Sequence, residues 1–203
     1  MKPSSRLLSV LSLVLLALAS CALSPVHAES DASPAIAVSI DSHGPTTHQA
    51  LTIIWPDGTI VWSKDQEKGG PPYLTAKIDP AKTTALLDKL EKDGVFKKTS
   101  DDLVHLGPDA SYHRIDLLRG KQEYTYLASW HELSERNPNV IATSHGIQSE
   151  PDKAKREKLI ASDDPAYKSF RTLWKDIRTS ITGLIPKDGK PYQGELKWEF
   201  PRD

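Results

Sequence analysis

The sequence predicts an α+β fold of two layers, in which a mainly antiparallel sheet of about six to seven strands carries two helices on one face. Two observations favour this class. Strand-like segments occur in pairs joined by short turns, and such tight hairpins argue against parallel βαβ units. Two longer segments have apolar residues at the three-four spacing of an amphipathic helix.

The first hairpin is the clearest strand signal in the chain. Leu51 to Trp55 and Thr59 to Trp62 are rich in β-branched and aromatic residues, and Pro56-Asp57-Gly58 separates them. Proline presets φ at the first turn position, and glycine takes the positive φ of a type I turn followed by a bulge. This turn is expected to pair Trp55 with Thr59.

Alternation along this hairpin predicts which side chains share a face. One face is expected to hold Leu51, Ile53, Trp55 and Val61, and the other is expected to hold Ile54, Ile60 and Trp62. Both faces are apolar, so helices are expected to cover one face and the connection Trp130 to Ser162 part of the other. The two tryptophans then lie on opposite faces, which favours core packing over a stacking platform for a ligand.

Three further strands are predicted from alternation alone. Ile36 to Ile40 is expected to be the first strand, and a loop from Asp41 to Gln49 that includes His48 follows it. Leu74 to Ile78 is expected to be another strand. Gly194 to Phe200 alternates apolar and charged residues and is predicted to be the last strand, at an edge of the sheet.

A second hairpin is predicted from Ser111 to Ala128, with Arg119-Gly120 at its tip. A two-residue loop sets Asp116 opposite Glu123, whereas a three-residue loop places Glu123 opposite Ile115. The hydrophobic pattern favours the two-residue loop. That loop groups on one face His113, Ile115, Leu117, Tyr124, Tyr126 and Ala128.

Two helices are predicted with the same start signal, an aspartate N-cap followed by proline. The first runs from Asp79 to Gly94 and the second from Asp164 to Leu184. The charged segment Pro151 to Lys158 is predicted to be a solvent-exposed helical turn or loop, because charge runs normally face water.

The first residues predict export. Lys2 and Arg6 precede the apolar run Leu7 to Ala19, which is too short to remain as a membrane anchor. Two processing sites compete. Val26-His27-Ala28 has the small-residue pattern of a signal-peptidase site, and Leu18-Ala19-Ser20-Cys21 resembles the lipobox of bacterial lipoproteins, whose cysteine becomes lipidated.

Residues 1–28 are therefore predicted to be a signal peptide, with a lipoprotein signal of residues 1–20 as the alternative. Residues 29–35 are predicted to be a flexible tether, and residues 36–203 a single α+β domain. The expected location is the periplasm or cell envelope, with no transmembrane helix in the mature form and, in the alternative, a lipid anchor at Cys21.

Composition excludes several classes of site. Cys21 is the only cysteine, so the folded part has no internal disulfide, no thiolate zinc cage and no cysteine nucleophile. The chain has 26 Lys and Arg against 27 Asp and Glu, a net charge of −1. Binding to nucleic acid or to an anionic membrane favours a basic excess, so neither class of partner is expected.

The connection Trp130 to Ser162 is the segment in which chemistry is most expected. Irregular connections longer than about fifteen residues are usually functional or disordered. His131 and Glu135 lie four residues apart, on one face of any helix, so with His145 they are candidate ligands for one metal ion. Asn137-Pro138 limits such a helix to about one turn, and this favours an exposed polar turn over a metal site.

The candidate catalytic residues are His113, His131 and His145. His113 falls on the apolar face of the second hairpin, where burial can retune an imidazole, although a buried histidine bonded to a neighbour is the favoured interpretation. The sequence contains no Gly-x-Ser-x-Gly elbow and no Ser-x-x-Lys motif. It also lacks a glycine-rich phosphate loop, so no cofactor is predicted.

The segment Leu51 to Phe96 contains a strand, an x-Asp-Gly-x turn, a second strand and a capped helix ending in Asp93-Gly94-Val95-Phe96. In this order of elements it resembles uncharacterised domains of bacterial secreted proteins and lipoproteins. The resemblance covers under half of the chain and implies no activity or site residue.

Two functions from different classes follow. The leading hypothesis is a non-catalytic binding or interaction module for an unknown envelope protein or ligand, because no catalytic constellation is present. The alternative is a hydrolytic or metal-assisted enzyme that uses histidines of the connection and the second hairpin. Convergence of two of these histidines with a carboxylate in one pocket distinguishes the enzyme from the binding module.

Overall fold

A computed structural model describes residues 33–41, 48–97, 112–128 and 137–198. These residues form an α+β fold, which confirms the predicted class. The elements in chain order are β1 (Ile36–Asp41), β2 (His48–Ile54), β3 (Thr59–Ser63), β4 (Tyr73–Lys77), α1 (Pro80–Lys92), a 3-10 turn (Val95–Lys97), β5 (Tyr112–Arg119), β6 (Gln122–Ala128), β7 (Val140–Thr143), β8 (Gly146–Ser149), α2 (Lys153–Ser162), α3 (Pro165–Thr182) and β9 (Lys190–Pro191).

Seven strands form one antiparallel sheet in the order β6-β5-β1-β2-β3-β4-β9, and β7 pairs with β8 in a separate hairpin. The described residues include three α-helices rather than the two expected. Within the same ranges, no helix has both the length and the apolar character that crossing a bilayer requires.

The first hairpin has the predicted turn. The Trp55 amide donates to the Thr59 carbonyl at 2.9 Å, and the Gly58 amide donates to the Trp55 carbonyl at 3.0 Å. Gly58 has φ +80°, and a Cβ at this position would clash with the Ile78 carbonyl oxygen. These bonds confirm the predicted pairing of Trp55 with Thr59. The pairing was predictable because the conformation of a turn depends on the few residues within it.

One predicted face assignment is wrong. Val38 pairs with Thr52 and Ser39 pairs with Ala50, so Leu51 is an additional residue in β2 and forms a β-bulge. The bulge rotates Leu51 onto the face of Ile54 instead of the expected face of Ile53. Leu51 is fully buried there.

The sheet has one apolar cluster on each face. The large cluster joins α1 and α3 to the sheet and holds Trp62, whereas the small cluster holds Trp55, so the predicted separation of the two tryptophans is confirmed. The large cluster includes Ile36, Val38, Leu51, Ile54, Ile60, Trp62, Leu86, Leu87, Leu90, Ile115, Leu117, Phe170, Trp174, Ile177 and Ile181. The small cluster consists of Ala37, Ala50, Ile53, Trp55 and Val61.

The small cluster has a different cover from the one expected. Tyr73, Tyr192, Leu196 and Trp198 pack against it, and they come from β4 and from the C-terminal residues. The connection was expected on part of this face, but its residue Ala142 belongs to the large cluster, and residues 130–136 lie outside the described ranges. Among the described residues, the cover that packs on the small cluster comes from β4 and the C-terminal segment instead.

The predicted last strand is also wrong. The edge strand is the short β9, and the Tyr192 amide makes one more bond, of 3.0 Å, to the Tyr73 carbonyl. Residues 192–198 then leave the edge without joining the sheet. Leu196 and Trp198 are partly buried, whereas the charged residues next to them are exposed, because both apolar side chains pack on the face of the sheet. Packing of this kind produces the same alternation of apolar and charged residues as a strand.

The second hairpin closes through Gly120-Lys121, with Gly120 at φ +61°. Asp116 therefore pairs with Thr125, not with Glu123 as predicted. This register avoids two carboxylates facing each other, and the Thr125 hydroxyl donates to the Asp116 carboxylate at 2.6 Å.

Both predicted helices start where the caps indicate. The Asp79 carboxylate accepts from the Ala81 amide at 2.9 Å, and the Asp164 carboxylate accepts from the Ala166 amide at 2.7 Å. The helices end within two residues of the predicted ends. These boundaries follow from local capping and periodicity.

The described part of the connection forms the β7–β8 hairpin and α2. The Ser144 hydroxyl and amide donate to the Asp163 carboxylate at 2.6 and 3.0 Å, and Arg171 Nη1 donates to the Ala142 carbonyl at 2.9 Å. These bonds hold the hairpin against the start of α3. No residue of α2 is buried, so the predicted solvent exposure of Pro151 to Lys158 is confirmed for the helical part.

Candidate functional site

A cleft of about 540 Å³ opens beside the small cluster. Its walls come from the start of β2, the β3–β4 loop, β9 and the C-terminal residues. We call it the aromatic cleft and define it by its lining residues, which are His48, Pro71, Pro72, Tyr73, Pro191, Tyr192, Gln193, Gly194, Glu195, Leu196 and Trp198.

The β3–β4 loop forms one wall and is held against β2. The Gly70 amide donates to the Ala50 carbonyl at 3.0 Å, and the Ser63 hydroxyl donates to the Gly70 carbonyl at 2.6 Å. Gly69 and Gly70 have φ values of +70° and +75°, which glycine adopts without strain. The loop therefore presents Pro71 and the residues after it in a fixed position.

Three aromatic side chains form the floor and the opposite wall. Tyr73, Tyr192 and Trp198 are each partly buried against the small cluster, and the remainder of each side chain contributes to the cleft. Burial raises the pKa of the Tyr73 hydroxyl, although a hydrogen bond with the Ala50 backbone acts in the opposite direction. Tyr73 therefore stays neutral at physiological pH.

His48 is the titratable side chain of the cleft with the best-defined partner. Its Nδ1 atom lies 2.6 Å from Asp41 Oδ1, and the two residues are paired at the end of the β1–β2 ladder. The Asp41 side chain is 4% exposed and the His48 side chain is 52% exposed. A buried carboxylate thus orients an imidazole that reaches solvent, an arrangement that fixes the ring tautomer.

A second polar cluster lies on the neighbouring strands. Arg114 Nε donates to both Asp116 carboxylate oxygens, at 2.9 and 2.7 Å, and Thr125 completes the group. The hydrogen bonds that Arg114 donates to the Asp116 carboxylate raise the pKa of Arg114 more than burial lowers it. Because Arg114 and Asp116 neutralise each other, we interpret this cluster as structural.

The predicted histidines do not meet at the aromatic cleft. His113 is buried in β5 opposite Ile40 of the large cluster, and His145 is exposed in the β7–β8 turn. His131 and Glu135 lie outside the described residues, so the proposed ligand set of His131, Glu135 and His145 stays a prediction. Among the described residues, no three His, Cys, Asp or Glu side chains are grouped to hold a metal ion.

Sequence reasoning missed His48 because it placed this residue in a loop. A signal was present, since Asp41 and His48 flank the short segment that joins two apolar strands. Pairing those strands as a hairpin brings the flanking residues together. The aromatic wall had no such signal, because Gly194 to Phe200 was predicted to be a strand.

A second cavity, of about 590 Å³, lies between α1 and α3 and is lined by Lys89, Asp93, Lys168, Ser169, Thr172, Leu173 and Asp176. Lys89 bonds Asp93 at 2.8 Å, and Lys168 donates to the Ala161 carbonyl at 2.9 Å. Both lysines are therefore engaged at an open surface. The aromatic cleft is the better candidate site because apolar walls and a few oriented polar groups are typical of ligand sites.

Comparison of the chain with protein-family models gave no match. Comparison with curated proteins gave no match either. Function is therefore inferred from the chemistry of the aromatic cleft, since a fold class alone does not specify an activity.

Proposed function

We propose that this protein is an exported, non-catalytic binding module of the periplasm or cell envelope, and that the aromatic cleft is its ligand site. The observation that carries the proposal is that three aromatic side chains line the same cleft as a histidine that a buried aspartate orients. The basic start and apolar run of residues 2–19 support export, as does the resemblance of Leu51 to Phe96 to domains of secreted proteins.

The size of the cleft supports a small ligand or the side chain of a larger one. Its volume of about 540 Å³ lies within the range of roughly 300–1,000 Å³ that is usual for ligand pockets. Tyrosine and tryptophan provide a large contact area with few rotatable bonds, so they lose little conformational entropy when a ligand binds.

The walls of the cleft are organised before a ligand arrives. The Lys64 amide donates to the Pro72 carbonyl at 3.1 Å, and the Tyr192 amide donates to the Tyr73 carbonyl at 3.0 Å. Both rims are thus tied to the sheet by backbone hydrogen bonds. A preformed site lowers the ordering cost of binding, so modest contacts suffice for affinity.

The test is a comparison of binding by the mature protein and two variants. Trp198→Ala removes one wall of the aromatic cleft and is expected to weaken binding of any ligand recovered from an envelope extract by about fivefold or more. Ile147→Ala is the matched control, since Ile147 is an exposed apolar residue of β8 and does not line the cleft. Equal affinity of both variants for that ligand contradicts the proposal.

A second candidate function is hydrolysis, and the His48–Asp41 pair favours it. A carboxylate that holds an imidazole by Nδ1 leaves Nε2 to act as a general base toward a bound water or substrate. In this candidate function the general base is His48 instead of His113, His131 or His145. His48→Gln separates the two functions, because it abolishes turnover in an enzyme but leaves most of the affinity of a binding module.

A further inference from the structure

The charged and backbone groups in the lining of the aromatic cleft favour a positively charged ligand. Pro71, Pro72 and Pro191 supply no backbone N–H donor, and the Pro72 carbonyl is already bonded to the Lys64 amide. The side chains of Tyr73, Tyr192, Gln193 and Trp198 can donate hydrogen bonds but carry no positive charge. Glu195 is the acidic residue of the lining and accepts only. Among the described residues that line the cleft, none is lysine or arginine.

The neutral form of His48 offers one further acceptor atom to the cleft. In the neutral imidazole, the Nδ1–H donates to Asp41 across 2.6 Å, and Nε2 then carries the free lone pair. The Asp41 side chain is buried and the His48 ring is half exposed, so the pairing directs the accepting edge of the ring outward. Asp41 is thus a positioning residue for His48.

The aromatic side chains of the cleft also favour a cation over an anion. Tyr73, Tyr192 and Trp198 line the cleft, and the faces of such rings carry negative quadrupole potential, which attracts cations and repels anions. Glu195 lies 3.7 Å from Lys197, but both side chains are more than two-thirds exposed, at 80% and 70%. Exposed pairs of this kind are weak, so the Glu195 carboxylate remains available to a ligand.

We infer that the ligand of the aromatic cleft is an organic cation, either a protonated amine or a quaternary ammonium group. This inference rests on the proposed function and specifies its ligand class. An anion would meet the Glu195 carboxylate and no lysine or arginine among the lining residues. A cation meets an opposite charge and three aromatic side chains in the same lining.

The experiment is isothermal titration calorimetry of the mature protein with four small probes. Choline and ethanolamine share a skeleton and present a quaternary and a protonated ammonium group, 3,3-dimethylbutan-1-ol is the uncharged isostere of choline, and methyl glucoside is a neutral saccharide. At least one cation is expected to bind about fivefold or more tightly than the isostere. Tighter choline indicates recognition by the ring faces, and tighter ethanolamine indicates hydrogen bonds to Glu195 and His48.

Three variants test the assigned groups. Trp198→Leu keeps an apolar side chain against the small cluster but removes the ring, and it is expected to weaken cation binding by about threefold to tenfold. Glu195→Gln removes the charge and is expected to weaken cation binding by only about twofold, because Glu195 is exposed. Lys197→Ala is the control and is expected to leave cation binding unchanged or tighter, because it removes a competitor for Glu195. Thermal melting of each variant verifies that the fold is retained.

The outcomes separate this inference from the proposed function. If methyl glucoside or the isostere binds as tightly as the cations and Trp198→Leu weakens that binding, the cleft is a ligand site but the cation inference is wrong. If none of the probes binds, the cation inference is wrong. If, in addition, no ligand recovered from an envelope extract depends on Trp198, the proposed function is wrong as well.

Discussion

The Nδ1 atom of His48 lies 2.6 Å from Oδ1 of Asp41, and these two residues face each other across the β1–β2 ladder. The aspartate is buried and the histidine reaches the aromatic cleft. The sheet register therefore determines the orientation of a ring that lines the aromatic cleft. Four predictions follow from this pair and from the contacts that support the fold around it.

Asp41→Asn is expected to lower the free energy of unfolding by about 1 kcal/mol, because a charge-assisted hydrogen bond becomes a neutral one. The measurement is urea denaturation of the wild type, Asp41→Asn, His48→Ala and the double variant. The cost of Asp41→Asn is expected to be smaller in the His48→Ala background. An equal cost in both backgrounds means that the two side chains are not coupled.

Leu51→Ala is expected to destabilise the fold by about 2–5 kcal/mol, since the bulge places this fully buried side chain in the large cluster. Denaturant unfolding gives the value. The exposed Ile147 provides the control, and Ile147→Ala is expected to change stability by less than about 0.5 kcal/mol. A loss at Leu51 as small as that of the control argues against the bulge.

Asp116→Ala is expected to cost about 2–3 kcal/mol, because it removes both acceptors of Arg114 Nε. The value lies below that of a fully buried pair because the Arg114 side chain is 24% exposed. Asp93→Ala is the matched control, since its partner Lys89 is exposed and loses little. The two variants are compared by chemical denaturation, and a cost at Asp116 no larger than at Asp93 contradicts the structural role.

The free energy of unfolding is expected to decrease at acid pH, because the Asp163 carboxylate becomes protonated. Burial alone would raise the pKa of this carboxyl, but donation by the Ser144 hydroxyl and amide and by the Asp164 amide, with the Arg171 charge, lowers the pKa below 3.8. A carboxyl with a depressed folded-state pKa stabilises the fold above its unfolded pKa, and this contribution is lost as pH falls through the folded value.

The measurement is the difference in unfolding free energy between the wild type and Asp163→Asn from pH 7 to pH 2. The wild type is expected to be the more stable protein at neutral pH, and the difference is expected to shrink below about pH 4. Ser144→Ala removes one donor and is expected to move the decline to higher pH. A difference that stays constant across the range contradicts the assignment.

Much of the fold was predictable because its signals are local. The turn at Gly58 and the caps at Asp79 and Asp164 depend on residues within four positions of each other, and all were confirmed. The second hairpin was predicted as an element, but its pairing was wrong. The loop is Gly120-Lys121 instead of Arg119-Gly120. Each residue of β5 therefore pairs with the residue of β6 two positions further along the chain than predicted.

The candidate site was less predictable for a physical reason. Tyr73, Tyr192 and Trp198 come from segments far apart in sequence, and only packing on the small cluster brings them together. The alternation of residues 194–198 does not reveal whether they join a ladder or lie on a sheet face. The bulge at Leu51 likewise depends on the pairing with β1.

The sequence by itself determined the α+β class, both capped helices, the first turn and the expectation of export, because caps, turns and periodicity are encoded by neighbouring residues. Three features could be seen only in the tertiary structure. Asp41 contacts and orients His48, the C-terminal segment covers the second face of the sheet, and the aromatic cleft is lined by His48 and that segment. These features depend on strand register and on competition between apolar segments for the same surface, and neither can be determined from any one stretch of chain.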